Sequence, residues 1–275
     1  MNGFKHISAR FIAWVLGGAA VTLLATGLYQ QHVTRRIVLE LAVERTNAVA
    51  EGITEELQGL MRSVESSVQL TAVRLAEAGR LSPAEVEAVP GQILAANTRI
   101  FGSTVAFEPG HGPVGFERFA PYLNRRGDAV ARVDLSDSQH SYWNKEWYLQ
   151  PLRSGEPRWI EPYLDDGAGQ LALVTYAVPF FRHTAQGRQP AGVVTADIAL
   201  GFLKRVAESN QIGRGGFVIV FSGSGRIVTH PETKHILQST LATLADQDGR
   251  PGLRQVVADR SEEHTSELQS LTNIV

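Results

Sequence analysis

The chain has 275 residues, a formal net charge of -2 and 43% hydrophobic residues. That is enough for one or two folded domains, and it offers no bulk positive charge to a nucleic acid. Cysteine is absent, which excludes disulfides, thiolate catalysis and cysteine-based zinc sites.

Phe11 to Tyr29 carries no charged residue and is long enough to cross a bilayer as a helix. Lys5 and Arg10 precede it and Arg35 and Arg36 follow it, so charge asymmetry orients it only weakly. An uncleaved anchor is the expectation, with a cleaved signal peptide or a buried helix as competitors; no clean Ala-x-Ala cleavage site follows. From 30 to 79 there is no proline. Apolar residues recur at helical spacing, including Ile37, Leu41, Ile53, Leu57, Leu60, Val64, Val68, Val73 and Leu75, with charges between them. This predicts one long amphipathic helix, packing on its own domain, pairing with a second copy, or both. Gly79 is a natural stop, and Ser82-Pro83-Ala84-Glu85 has the signature of a capping box opening a second helix.

Beyond about residue 100 the pattern turns to strands. Candidates are 103–107, Phe116 to Tyr122, Ala129 to Val133, Leu171 to Pro179 and Gly192 to Ile198. A turn at 124–128 and a loop from Arg182 to Pro190 are expected between them. Helices followed by an antiparallel meander make an α+β pattern. A second unit then begins: a helix over 200–210, a hinge at 213–216, strands at 217–221 and 226–230 around Ser222-Gly223-Ser224-Gly225, and a helix over 235–245. It lacks the further strands that would close a sheet. Residues 260–275, opening Arg260-Ser261-Glu262-Glu263-His264-Thr265-Ser266-Glu267, look like the translated sequence of a sequencing-library adapter and are set aside as a non-native tail.

The stretch from Trp143 to Leu200 concentrates rings and carboxylates. It holds Trp143-Asn144-Lys145-Glu146-Trp147-Tyr148, Glu161-Pro162-Tyr163-Leu164-Asp165-Asp166-Gly167, and Gly192-Val193-Val194-Thr195-Ala196-Asp197-Ile198. Rings that enclose and charges that orient are the usual means of holding a small polar ligand. Lys145 supplies a cation, Asp165 and Asp197 supply anions, and Trp147, Tyr148 and Tyr163 supply walls able to make cation–π contacts. Asp197, closing an apolar strand, needs a partner if buried. Trp143 and Trp159 are expected to pack.

The order of anchor, long helix, "WNKEWY…EPYLDDG…GVVTADI" and "GFVIVFSGSGRIVTHP" resembles the double Cache (PDC-type, PAS-like) extracytoplasmic sensor domains of bacterial chemoreceptors, sensor histidine kinases, diguanylate cyclases and SpoIIE-type serine phosphatases. The resemblance implies residues 1–10 in the cytoplasm, 11–29 in the inner membrane, a stalk over 30–79, a membrane-distal ligand-binding lobe over 80–205 and an incomplete membrane-proximal lobe over 206–259. In the amino-acid-binding members a Trp-Tyr pair, matched by Trp147 and Tyr148, accompanies Tyr163, Asp165 and Asp197. The family's arginine position holds Lys145, and its preceding tyrosine position holds His140. A lysine keeps the charge but not the planar fork that grips a carboxylate. The resemblance therefore implies a small amino acid, amine or carboxylate as ligand, a homodimer, and an output domain absent from this sequence, with phosphatase or kinase favoured and chemoreceptor or cyclase as alternatives. An anchored binding module without signalling is the non-signalling rival.

Other signals are weak. Asp165-Asp166-Gly167 lacks the alternating ligands of a calcium loop. His230 and His235 flank Pro231 rather than one helix face. The glycine-rich stretches do not lead into a phosphate-binding helix. No catalytic arrangement, metal site or cofactor is expected.

Overall fold

The computed structural model describes residues 3–165, 171–185, 187–209, 217–249, 251–263 and 273–274, with side chains described within these ranges from Trp14 to Ala258, those of 248 and 251 excepted. Two compact units are distinguished, Met1–Val49 and Ala50–Val275. The first helix, α1, runs from Gly3 to Glu77 without interruption. In the first unit its apolar side chains are exposed, among them Leu23, Leu24, Ile37 and Leu41. The predicted bilayer crossing over 11–29 is not supported: among the described residues no helix is long and apolar enough to cross a membrane. The first residues of that span, 11–13, lie outside the described side chains.

In the second unit the helical period of the sequence becomes a buried stripe. Ile53, Leu57, Leu60, Val64, Val68 and Leu75 are all buried, whereas Val73 and Leu70 point to solvent. Helix α2 (Pro83–Ala96) begins as the sequence predicts: the Ser82 hydroxyl accepts from the Glu85 amide, and the Glu85 carboxylate accepts from the Ser82 amide at 2.7 Å. Both helices serve an antiparallel sheet of six strands: β1 (Gly102–Phe107), β2 (Pro121–Arg126), β3 (Ala129–Asp134), β4 (Arg158–Leu164), β5 (Ala172–Thr184) and β6 (Gly187–Ala199), in the order β3-β2-β1-β6-β5-β4.

Period-two alternation gives the sheet two faces. On one, Trp159 and Tyr176 stack with centroids 5.0 Å apart; the Trp159 indole donates to Glu65 of α1 at 2.7 Å, and Gln69 of α1 donates to the Tyr176 hydroxyl at 2.7 Å. On the other lies a cluster of Tyr142, Tyr148, Ile160, Ala177 and Val193, against which helix α3 (Glu146–Ser154) places Trp147 and Leu149.

Several expectations are corrected. Phe116–Ala120 is irregular, and β2 instead continues through Asn124–Arg126; the expected turn shrinks to Gly127-Asp128, with Gly127 at φ +61°. The expected loop from Arg182 to Pro190 is mostly strand, because β5 and β6 stay paired out to Thr184↔Gly187. Its arginines and polar residues look like loop locally, but they line an exposed hairpin where only pairing decides. The expected hinge at 213–216 lies outside the described residues.

Helix α4 (Leu200–Ser209) follows β6 directly. The strands β7 (Val220–Phe221) and β8 (Ile227–Thr229) are shorter than expected, and Asn273–Ile274 (β9) pairs with β7. The helix expected over 235–245 starts only at Leu241. A single 3-10 turn occupies Thr233–His235, and α5 runs Leu241–Asp248 behind a Thr240 cap, followed by α6 (Pro251–Glu263). Leu57 and Met61 of α1, Trp159 and Ile198 of the sheet, Leu203 of α4, and Val220 and Val228 line one apolar cavity of about 20 Å³, which joins the two sheets.

Leu94 of α2 is 2% exposed. Leu94→Ala is expected to destabilise the second unit by about 2–5 kcal/mol, read as a lowered urea midpoint without loss of cooperativity.

Candidate ligand-binding site

The register places Asp197 of β6 beside Gly102 of β1 and Thr175 of β5, with Asn124 of β2 next across Gly102. These residues share the sheet face opposite α1, since pairing partners point the same way. Glycine at 102 is required by its neighbour. A Cβ there would lie 2.0 Å from the Tyr122 hydroxyl, so the ring leans into space that only glycine leaves. The Tyr122 hydroxyl is buried beside Asp197 yet makes no hydrogen bond of ordinary geometry, and both amide atoms of the buried Asn124 are likewise unpartnered. Burial, then the charge of Asp197, pushes the Tyr122 phenol well above its usual range.

Asp197 is 4% exposed. Burial raises its carboxyl to about 7; hydrogen bonds from Thr175 and the nearness of Tyr122 oppose that rise, and the charge of Asp165 adds to it. The Thr175 hydroxyl donates to Asp197 Oδ1 at 2.7 Å. A hydroxyl has one proton, so the Tyr163 hydroxyl, 2.9 Å from Thr175 Oγ1, must donate to it. The result is a directed relay from Tyr163 through Thr175 to Asp197.

Tyr122, Tyr163 and Asp197 line a pocket of about 20 Å³ with Thr104, Leu135, Trp147, Asp165 and Thr195. Among the described residues its lining contains two acids and no base. Asp165 stands where the β4–β5 hairpin opens, its amide bonded to the Leu171 carbonyl at 2.9 Å; the rest of that turn, 166–170, lies outside the described residues.

Of the residues singled out from sequence, Trp147, Tyr163, Asp165 and Asp197 come together here. Tyr148, Lys145 and His140 are not among the pocket's lining residues. Tyr148 is a core residue packed edge-on against Tyr142 at 5.0 Å, and burial, followed by the charge of Glu108, raises its phenol. Lys145 is the N-cap of α3, its carbonyl accepting from Tyr148 and Leu149. His140 Nδ1 lies 2.7 Å from Asp137 Oδ1, and its amide holds the same carboxylate. Trp159 packs as expected, and Trp143 stacks under Arg118 at 4.3 Å. Tyr122, Thr175 and Thr195 were missed. Thr175 and Thr195 carry one sequence signal, a polar residue inside an otherwise apolar strand; Tyr122, in the mixed strand Pro121–Arg126, carries none.

Residues 86–205 match the family model described as methyl-accepting chemotaxis protein-like, first PDC sensor domain. A curated relative, the methyl-accepting chemotaxis protein PctB of Pseudomonas aeruginosa, is 29% identical over 120 residues, 43% of this chain and 18% of the relative. Among solved structures, the extracellular domain of mmHK1S-Z3, described as a histidine kinase, aligns with a TM-score of 0.65 at 20% identity over 80% of each chain. The ligand-binding domain of PctB in complex with L-Gln aligns with a TM-score of 0.50 at 22% identity, over 75% of this chain and 72% of that one. Residues 86–205 are thus similar to PDC-type sensor domains, and the chain spans less than a fifth of the length of the curated relatives it matches. Those relatives are chemotaxis proteins, and nothing among the matches supports the favoured phosphatase output.

A carboxyl whose native pKa is raised stabilises the fold only while protonated. The native state binds the extra proton between the unfolded value, near 4, and about 7, so stability is greatest below pH 4 to 5 as far as this group is concerned and falls as pH rises through 7. Urea unfolding between pH 5 and 8 is expected to show this decline in the wild type and a flatter profile in Asp197→Asn.

Proposed function

We propose that this chain is the extracytoplasmic sensor region of a membrane-bound bacterial receptor, and that its sheet pocket binds the ammonium group of a small ligand, an amino acid or an amine. The observation that carries the reading is the pairing of buried Asp197 with Asp165 inside a ring-walled hollow without a basic lining residue. Ligand nitrogen neutralises two carboxylates that otherwise repel, while Trp147 and Tyr163 offer ring faces to the cation. The pocket's free space holds about one water, so Trp147 or the Asp165 side of the mouth swings out to admit ligand. Lys145 and His140, outside the pocket's lining, belong to this proposal as partners for a ligand carboxylate. Tyr148 belongs to it as the core ring that seats Trp147, whose ring centroid lies 6.0 Å away. The likeness to PctB, whose binding domain is solved with L-Gln, supports an amino acid.

Residues 11–29 anchor the chain in the inner membrane, and the stalk pairs with a second copy. The output is a chemotaxis signalling domain beyond the chain, in line with the chemotaxis relatives. A ligand moves such a receptor only by the difference in its affinity for two arrangements.

Calorimetric titration with the L-amino acids, small alkyl amines and small carboxylates is expected to find binding by ammonium-bearing compounds only. Affinity should rise with pH towards about 7, by up to about tenfold per unit, as Asp197 ionises, and Asp197→Ala should abolish it. Equal binding by that variant, or none by any compound, sinks the reading. For the dimer, Leu70 and Val73, each 53% exposed on α1, are the residues to charge. Sedimentation velocity should show Leu70→Glu with Val73→Glu as a monomer where the wild type is a dimer.

A further inference from the structure

Strand β4 does two jobs that a regular strand could not combine. Trp159 lies on the α1 face of the sheet and Ile160 on the pocket face, so strict alternation would return Tyr163 to the α1 face. The pairing instead slips: Ile160 sits opposite Thr175 and Tyr163 opposite Leu173, with a bulge between them. The bulge turns Tyr163 into the pocket and leaves Glu161 on the other side. Pro162, which has no amide proton to leave unpaired, occupies the irregular position and is buried there.

Glu161 is exposed, yet its carboxylate is engaged. Its carboxylate accepts from the Ser222 hydroxyl at 2.6 Å, the Ser224 hydroxyl at 2.7 Å and the Ser224 amide at 3.1 Å. These donors form the turn between β7 and β8, in the second sheet. Gly223 lies against the acid, where a Cβ would sit in ordinary van der Waals contact with Glu161 Oε1 at 3.8 Å. The turn is itself organised by the same hydroxyls: Ser222 Oγ accepts from the Arg226 amide at 3.2 Å, and the Gly225 carbonyl accepts from Leu241, the first residue of α5, at 2.7 Å. A charged acceptor with three donors is among the stronger contacts available at a partly wet interface.

We propose that Glu161 is a positioning residue, a clasp that ties the pocket-facing Tyr163 to the β7–β8 turn through the β4 bulge, so that the state of the pocket and the seating of the second sheet are coupled. The inference rests on the pocket being the sensor's input and adds the route by which its state leaves. A second connection runs in parallel: Asp197 is followed by α4, whose Leu203 shares the apolar cavity with Val220 and Val228. Both anionic walls of the pocket, β4 and β6, thereby end on the same small sheet. Coupling of this kind is reciprocal: what disturbs the clasp disturbs the pocket, and the reverse.

The test is hydrogen exchange, read by mass spectrometry, on the full chain as wild type, Glu161→Gln, Ser224→Ala and Asp197→Asn. Glu161→Gln should speed exchange roughly tenfold at 222–226 and also raise it at 160–165 and 173–176; Ser224→Ala, which removes one of the three bonds, should do the same more weakly. Asp197→Asn should alter protection at 222–226 by about threefold or more. Changes confined to 222–226 in the first two variants, with that segment unaltered by Asp197→Asn, would make Glu161 a local turn cap and overturn the proposal. If Glu161→Gln unfolds, Ser224→Ala decides. No ligand enters the measurement, so a failed amine titration overturns the ammonium reading and leaves this one to the exchange data.

Discussion

A carboxylate buried in the middle of a sheet is costly, and the arrangement around Asp197 follows from that cost. Water cannot solvate it at 4% exposure, so its neighbours must. Thr175 donates to it, Tyr163 donates to Thr175, and Tyr122 leans in over a glycine that alone leaves room. Even so the carboxyl holds its proton up to about pH 7, because burial outweighs one short hydrogen bond and Asp165 adds a like charge. Unpartnered polar atoms on Tyr122 and Asn124 lie on the same sheet face. A buried face left under-satisfied in this way is where function is expected rather than packing.

The sheet's two faces divide labour. One is closed by the stripe of α1 and α2, with Trp159 and Tyr176 hydrogen-bonded to Glu65 and Gln69 of α1. The other is roofed by α3 and the Tyr142–Tyr148 cluster and holds the pocket at its edge. The bulge in β4 lets residues two apart in one strand serve opposite faces, Glu161 on one side and Tyr163 on the other. Because side chains alternate strictly, only a slip in register can do this.

Much of this was legible in the sequence wherever the signal is local. The buried stripe of α1 follows from helical spacing, the start of α2 from its capping box, and Asp197 from an acid at the end of an apolar strand. Tyr163 and Asp165 stood out as a ring and an acid beside a proline. The readings that failed depended on distant partners. The β5–β6 hairpin looked like a loop over 182–190 because its exposed residues carry no apolar alternation. Tyr148 looked like a ligand residue because a Trp-Tyr pair says nothing about which ring faces inward; on α3 the two point to different surroundings.

The sequence by itself determined the class of fold, the helical stripe and the acids and rings from which a cation site can be made, because periodicity, caps and residue chemistry act over a few neighbouring positions. The tertiary structure alone decided which of those groups meet. Gly102 is a spacer only once Tyr122 lies across it, Thr175 a relay only once β5 registers against β6, and Glu161 a clasp only once the bulge in β4 turns it toward Ser222 and Ser224. Those contacts join residues far apart in the chain, and register between strands, which no local pattern encodes, is what sets them.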